Sequence, residues 1–168
     1  MSTQKIGRLD VTVETVQDHG TPTTRLLMTG RIDDSAPLSG FVDSITTTAV
    51  IIDTDGVVFV NSIGVREWMR LLRGLASKHC TVRLERIADV LITQMNMIPD
   101  VRGTATIASF HAQYVCGACG AEAAPIIDAV VYAEQLAAMQ APKMPCPECN
   151  AEMELGDYPE RYLTLFKA

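Results

Sequence analysis

Aromatic residues are scarce in this chain. They supply 5% of its 168 residues, so a core must be built mainly from Val, Ile, Leu, Met and Ala, for which a hydrophobic fraction of 48% suffices. Long apolar runs are missing too: nothing approaches the roughly 18 consecutive apolar residues of a bilayer-spanning helix, and no membrane role is expected. The N-terminus, MSTQKIGRLDV, lacks an apolar segment and a small-residue cleavage pattern, which speaks against export and makes the cytoplasm the expected compartment. Positive charge is in deficit. With 14 basic against 20 acidic residues the net charge is −6, a balance that repels polyphosphate backbones and counts against nucleic acid as the main ligand. No repeat or low-complexity tract is visible. Histidines are few and scattered, and His19, His79 and His111 read as surface or satisfied polar residues rather than ligands.

The length fits one ordinary domain, or a domain of roughly 110 residues with an appendage. Leu9, Val11, Val13 and Val16 alternate with polar residues as in a half-buried strand, and Thr24 to Thr29 follows at hairpin distance, closing at Gly30. Phe41, Val42 and Ile45 suggest a short helix. Ala49 to Asp53 is a continuous apolar run ending in an acid, as expected of a central strand covered on both faces. After the break at Asn61 to Gly64, the residues Val65, Trp68, Met69, Leu72, Leu75 and Ala76 recur at steps of three and four, with Arg66, Glu67, Arg70 and Arg73 on the other face of an amphipathic helix. A strand at Val82 to Leu84, a helix at Ala88 to Met97 and an alternating strand at Thr104 to Phe110 complete an α/β pattern. It implies a mostly parallel sheet with helices on one face.

The segment Ile51-Ile52-Asp53-Thr54-Asp55-Gly56-Val57-Val58-Phe59-Val60-Asn61-Ser62-Ile63-Gly64-Val65 resembles the signature of the STAS family, the domain of anti-sigma factor antagonists and sulfate transporter tails. In that family an apolar strand leads to an Asp-Ser-Ser-Gly-like turn that opens a helix. The resemblance implies a STAS-like mixed sheet over residues 1–112, a protein partner such as an anti-sigma factor or serine kinase, and phosphorylation at Ser62. Gly64 matches the turn glycine, Asn61 stands where the family commonly has Asp, and Ile63 where it often has a second Ser or Thr. Without the family, Ser62 is a favoured helix N-cap. Asp53 and Asp55, close in sequence, would form with a phosphate one anionic docking patch.

Residues 113–168 carry Cys116, Cys119, Cys146 and Cys149 as two C-x-x-C knuckles, each followed by Gly or Asn, with 26 residues between them. Such turns aim paired sulfurs at one point, and the set resembles a zinc ribbon. Structural Zn2+ is the expected cofactor; paired redox dithiols and an iron–sulfur cluster are the alternatives. A hairpin at Pro125 to Tyr132 is expected to fill the separation. Cys80 reads as a buried small apolar residue. The apolar tail from Asp157 to Phe166 is expected to pack back on the domain or on a neighbour, and a homo-oligomer stays open. No paired acid and base, phosphate loop or open metal site can be named, so no enzyme is expected. The chain reads as a regulatory module, with a constitutive scaffold or a zinc-ribbon nucleic-acid adaptor as the competing readings.

Overall fold

The computed structural model describes residues 1–167. In β2 (Leu9–Asp18) the alternation turns Leu9, Val11 and Val13 to the core. The strand reverses at His19 and Gly20, both at positive φ (49° and 81°), the two-residue turn that matches strand twist. The next strand, β3 (Thr21–Ile32), pairs antiparallel with the whole of β2 through its residues Thr21 to Gly30. It runs past the expected end because Gly30, at φ 115°, lets the neighbouring strand approach; a Cβ there would lie 2.3 Å from the Arg8 carbonyl. An edge strand not foreseen, β1 (Ser2–Ile6), pairs with β2 through its main chain while its polar side chains stay exposed.

A short helix, α1 (Gly40–Ser44), leads to β4 (Ala49–Val60), then α2 (Ser62–Ser77), β5 (Thr81–Glu85), α3 (Asp89–Met97) and β6 (Thr106–Ile107). The six strands lie in sequence order, the first two junctions antiparallel and the last three parallel, so the sheet is mixed and mostly parallel. Its core face, with Leu26, Ile52 and Leu84, packs in one cluster with Trp68, Leu71 and Leu91 of α2 and α3. Trp68 is fully buried, and its indole N–H donates to the Val101 carbonyl at 2.8 Å. Glu67 departs from the expected solvent face: it is buried, accepts from the Leu38 N–H at 3.3 Å and pairs with Arg70.

β4 is twelve residues long, not five. Asp53 to Gly56 interrupt its apolar character without ending it, because Asp53 and Thr54 find partners inside: Arg25 and Arg86 hold Asp53, and Thr54 Oγ1 accepts from the Ala88 N–H at 3.0 Å. The expected strand over Thr104 to Phe110 is divided into β6 and β7 (Ser109–His111).

Beyond Ala112 come β8 (Tyr114–Cys116), β9 (Glu122–Ala123), β10 (Ile126–Asp128), α4 (Ala133–Ala137), β11 (Met144–Pro145), β12 (Glu152–Leu155) and α5 (Pro159–Leu163). Pro125 to Tyr132 is not a hairpin. Its first half, β10, pairs antiparallel with β7, and the Asp128 carboxylate then accepts from the N–H groups of Val130 and Val131, turning the chain toward α4. Four short strands, in the order β11-β12-β8-β9, make an antiparallel ribbon. The tail folds back: Tyr162 and Leu163 are buried, the Tyr162 hydroxyl donates to Asp89, the Leu165 N–H donates to Asn96 at 3.0 Å, and Phe166 stacks on Phe110 with centroids 5.1 Å apart. No helix among the described residues is long and apolar enough to cross a membrane.

Burial and then the Asp89 carboxylate push the Tyr162 phenol above its ordinary range. Replacing it by Phe removes a hydrogen bond to a carboxylate, a group worth about 1.5–3 kcal/mol. Tyr162→Phe is therefore expected to lower the unfolding free energy by about that amount while the chain still melts in one transition. Urea titrations followed by Trp68 fluorescence and by circular dichroism check this; separate transitions would show that the tail region melts on its own.

Candidate metal centre and the Ser62 turn

The two knuckles are built alike. Cys116 leaves β8 with its N–H bonded to the Ala121 carbonyl at 2.8 Å, and the Gly120 N–H returns to the Cys116 carbonyl at 2.9 Å. Cys146 repeats this with Ala151 at 2.8 Å and Asn150 at 2.9 Å. Gly120 and Asn150 close the turns at φ 77° and 61°, the left-handed conformation that Gly adopts freely and Asn tolerates. The likeness extends to sequence: Cys116-Gly-Ala-Cys-Gly-Ala-Glu122 matches Cys146-Pro-Glu-Cys-Asn-Ala-Glu152. The chain thus contains a short repeat that sequence reading missed, and the shared Ala-Glu after each knuckle was the signal.

The four sulfurs lie within 4.8 Å of one another, with Cys116 to Cys149 at 3.5 Å and Cys119 to Cys146 at 3.6 Å. Four thiolates about 2.3 Å from one tetrahedral ion sit about 3.8 Å apart, so donor type and spacing both suit a bound metal ion. Each knuckle contributes one buried and one exposed cysteine. Cys116 is held down to about 6 by the Cys119 backbone N–H, against the pull of burial. For Cys119 the Ala121 N–H acts downward, but the Cys149 thiol, burial and the other two thiols outweigh it and push it up to about 12. Cys149 also lies above its usual range; the Ala151 N–H lowers it, and the Cys116 thiol and burial more than offset that. Cys116, Cys119 and Cys149, acids sharing one site, thus ionise unequally. Cys80 stands apart, half-buried, with its sulfur 3.5 Å from the Thr47 carbonyl.

At the other candidate, β4 ends at Val60 and α2 begins. The N-cap is Asn61, not Ser62: its side chain accepts from the Gly64 N–H at 2.8 Å, while its own N–H donates to the Ile32 carbonyl at 3.3 Å. Asn and Ser are both good caps, and the extended backbone of Asn61 (φ −108°, ψ −179°) places its carbonyl oxygen over the first turn. Gly64 is required there, since a Cβ would fall 1.9 Å from the Ile32 carbonyl. Ser62 is the first helical residue, exposed, with no hydrogen bond to its hydroxyl among the described residues and no acidic residue in the first turn of α2. Val58 (69% exposed) and Ile63 (45%) flank it in sequence. Arg31 lies over the Phe59 ring at 3.7 Å.

Asp33 is a residue that sequence reading passed over. It is buried near the end of β3, accepts from the N–H and hydroxyl of Ser35, and has Arg8 and Arg31 at 3.6 and 3.7 Å. The Ser35 hydroxyl first, then its N–H, hold the Asp33 carboxyl below the usual range despite burial. The signal was Asp-x-Ser after a strand, a turn that a side chain caps.

Asp53 and Asp55 do not join Ser62. Both lie inside β4, and the five residue steps from Asp55 to Val60 span about 16 Å of strand. Asp53, 2% exposed, receives Arg86 at 2.5 Å and Arg25 at 3.3 Å; Asp55 contacts Arg86 at 3.2 Å and His111 at 2.6 Å. The other ring nitrogen of His111 lies 2.7 Å from the Ala124 carbonyl.

The raised thiols fix the sign of a pH effect. A divalent metal must displace the protons of Cys119 and Cys149, so affinity is expected to rise with pH through the neutral range, with at least these two protons released per metal at pH 7. Calorimetry in buffers of different ionisation enthalpy reads the number; heats independent of buffer would contradict it. Compared with known proteins, the chain matches no family model and no curated sequence.

Proposed function

We propose that this chain is a non-enzymatic, STAS-like regulatory protein of the cytoplasm, which binds a protein partner of the anti-sigma factor or serine-kinase type around Ser62 and is released from it by phosphorylation there. The observation that carries this reading is the division of labour at the turn: Asn61 caps α2, so the Ser62 hydroxyl is exposed and without a structural task. The exposed apolar side chain of Ile63, next to Ser62 in the first turn, gives this hydroxyl a neighbour of mixed, docking-surface character. The element order supports the family likeness, with a hairpin followed by parallel strands joined through α1, α2 and α3.

Phosphorylation brings about −1.5 to −2 charges to the first turn of a sixteen-residue helix. There the free N–H groups and the dipole stabilise it by about 0.3–1 kcal/mol, so the fold is retained. In an interface the same charges must be paired or desolvated at a cost of several kcal/mol per ion, enough for a hundredfold loss of affinity. The partner therefore feels the larger effect.

In this reading the four thiolates hold structural Zn2+. All four positions are filled by cysteine, which leaves no place for water or substrate, and the ion braces a ribbon whose own strands are two to four residues long. One zinc per chain is expected on metal analysis of protein purified without added metal; iron in its place, or four free thiols besides Cys80, would remove the zinc assignment.

For the switch, peptide mapping of protein isolated from its native cells is expected to find phosphate on Ser62. Ser62→Asp should weaken partner binding about a hundredfold with melting unchanged, and Ser62→Ala should bind like wild type. Wild-type affinity in both variants would leave a constitutive scaffold.

A further inference from the structure

We propose that the outer face of the ribbon is a second docking surface, remote in sequence from Ser62, whose occupant is a basic peptide segment of a partner protein carrying an apolar anchor. The pairing of the ribbon strands decides which side chains share this face. Val115 in β8 stands opposite Glu122 of β9 on one side and Glu154 of β12 on the other. Directly paired residues point the same way, so an exposed valine is flanked by two carboxylates. Tyr114, Cys116 and Met153 point the other way and are buried.

Beside Val115 the chain leaves β12 through Gly156 and Asp157, and with Tyr158 it bounds a shallow groove of about 430 Å³. Tyr158 is 79% exposed, yet its backbone is held: its N–H donates to the Asp157 carboxylate at 2.8 Å, and Pro159 follows. A rigidly mounted aromatic side chain offers a large contact area at little entropic cost.

Charge selects the occupant. Residues 113–168 hold eight acidic and three basic side chains, so this third of the chain accounts for −5 of the net −6. Of the three cations, Lys143 is taken by Glu152 at 3.3 Å and Arg161 by Asp157 at 2.9 Å. Glu122 and Glu154 have no basic partner among the described residues. Two exposed apolar groups with unpaired carboxylates beside them fit lysine or arginine residues around an apolar anchor, and repel nucleic acid.

The probe is a fluorescein-labelled peptide with a Leu-Leu centre between lysine pairs, titrated into the full chain at several salt concentrations. Matched peptides with a Ser-Ser centre, or with glutamate in place of lysine, serve as controls. The leucine–lysine peptide should bind at least tenfold tighter than either control. Tyr158→Ser, and separately Glu122→Gln with Glu154→Gln, should each weaken it about tenfold or more, the carboxylate pair also flattening the salt dependence. These side chains are exposed, so circular dichroism and metal content should not change. Ser62→Asp should leave the affinity as it is, which separates this surface from the switch. Equal binding of the Ser-Ser peptide, indifference to Tyr158→Ser, preferential binding of a single-stranded oligonucleotide, or a dimer in sedimentation that Tyr158→Ser dissociates would each overturn the proposal.

Discussion

The carboxylate of Asp53 lies in the middle of the central strand, almost out of reach of water, and the arrangement of the sheet around it answers to that charge. Leaving it unpaired would cost several kcal/mol, so two guanidinium groups converge on it, Arg25 from β3 and Arg86 from the end of β5. Arg86 adopts φ 43° to reach it and also holds Asp55. Arg25 continues to Glu85, and Glu85 to Arg83 and Asp18, so a row of alternating charges ties four strands on the face opposite the helices. On the core face the buried polar groups are uncharged, Thr54 accepting from the Ala88 N–H and Thr24 bonding to Thr47.

The same network reaches the ribbon. Asp55 meets His111, whose second ring nitrogen faces the Ala124 carbonyl between β9 and β10. With the Phe110 and Phe166 stack and the Tyr162 to Asp89 bond, it couples the cysteine-bearing segment to the rest of the chain at three kinds of contact: imidazole, aromatic and hydroxyl. The two knuckles are thus held to the rest of the chain by contacts outside the cysteine cluster.

What could be read in advance was whatever a short window contains. The three- and four-residue steps of α2, the alternation in β2 and the C-x-x-C spacing are local, and the structure agrees with each. What escaped depends on partners distant in sequence. β1 has no pattern of its own and exists because β2 offers an edge. Asp53 to Gly56 look like a loop until Arg25 and Arg86 are placed beside them. Between two adjacent capping residues, Asn61 and Ser62, only the backbone angle chooses. Val115, Glu122 and Glu154 share a face because of a register that joins segments more than thirty residues apart.

The doubled knuckle has a further consequence. An ion gripped by Cys116 and Cys149 turns the intervening chain into a closed ring, and β10 and α4 lie on that ring. β10 is already tethered to β7 by residues 112–125, and closing the ring also restricts the second arm of the chain, which runs through α4. Insertions into the ring, around α4 for example, would be borne lightly, because the entropy of closing a loop grows only slowly with its length.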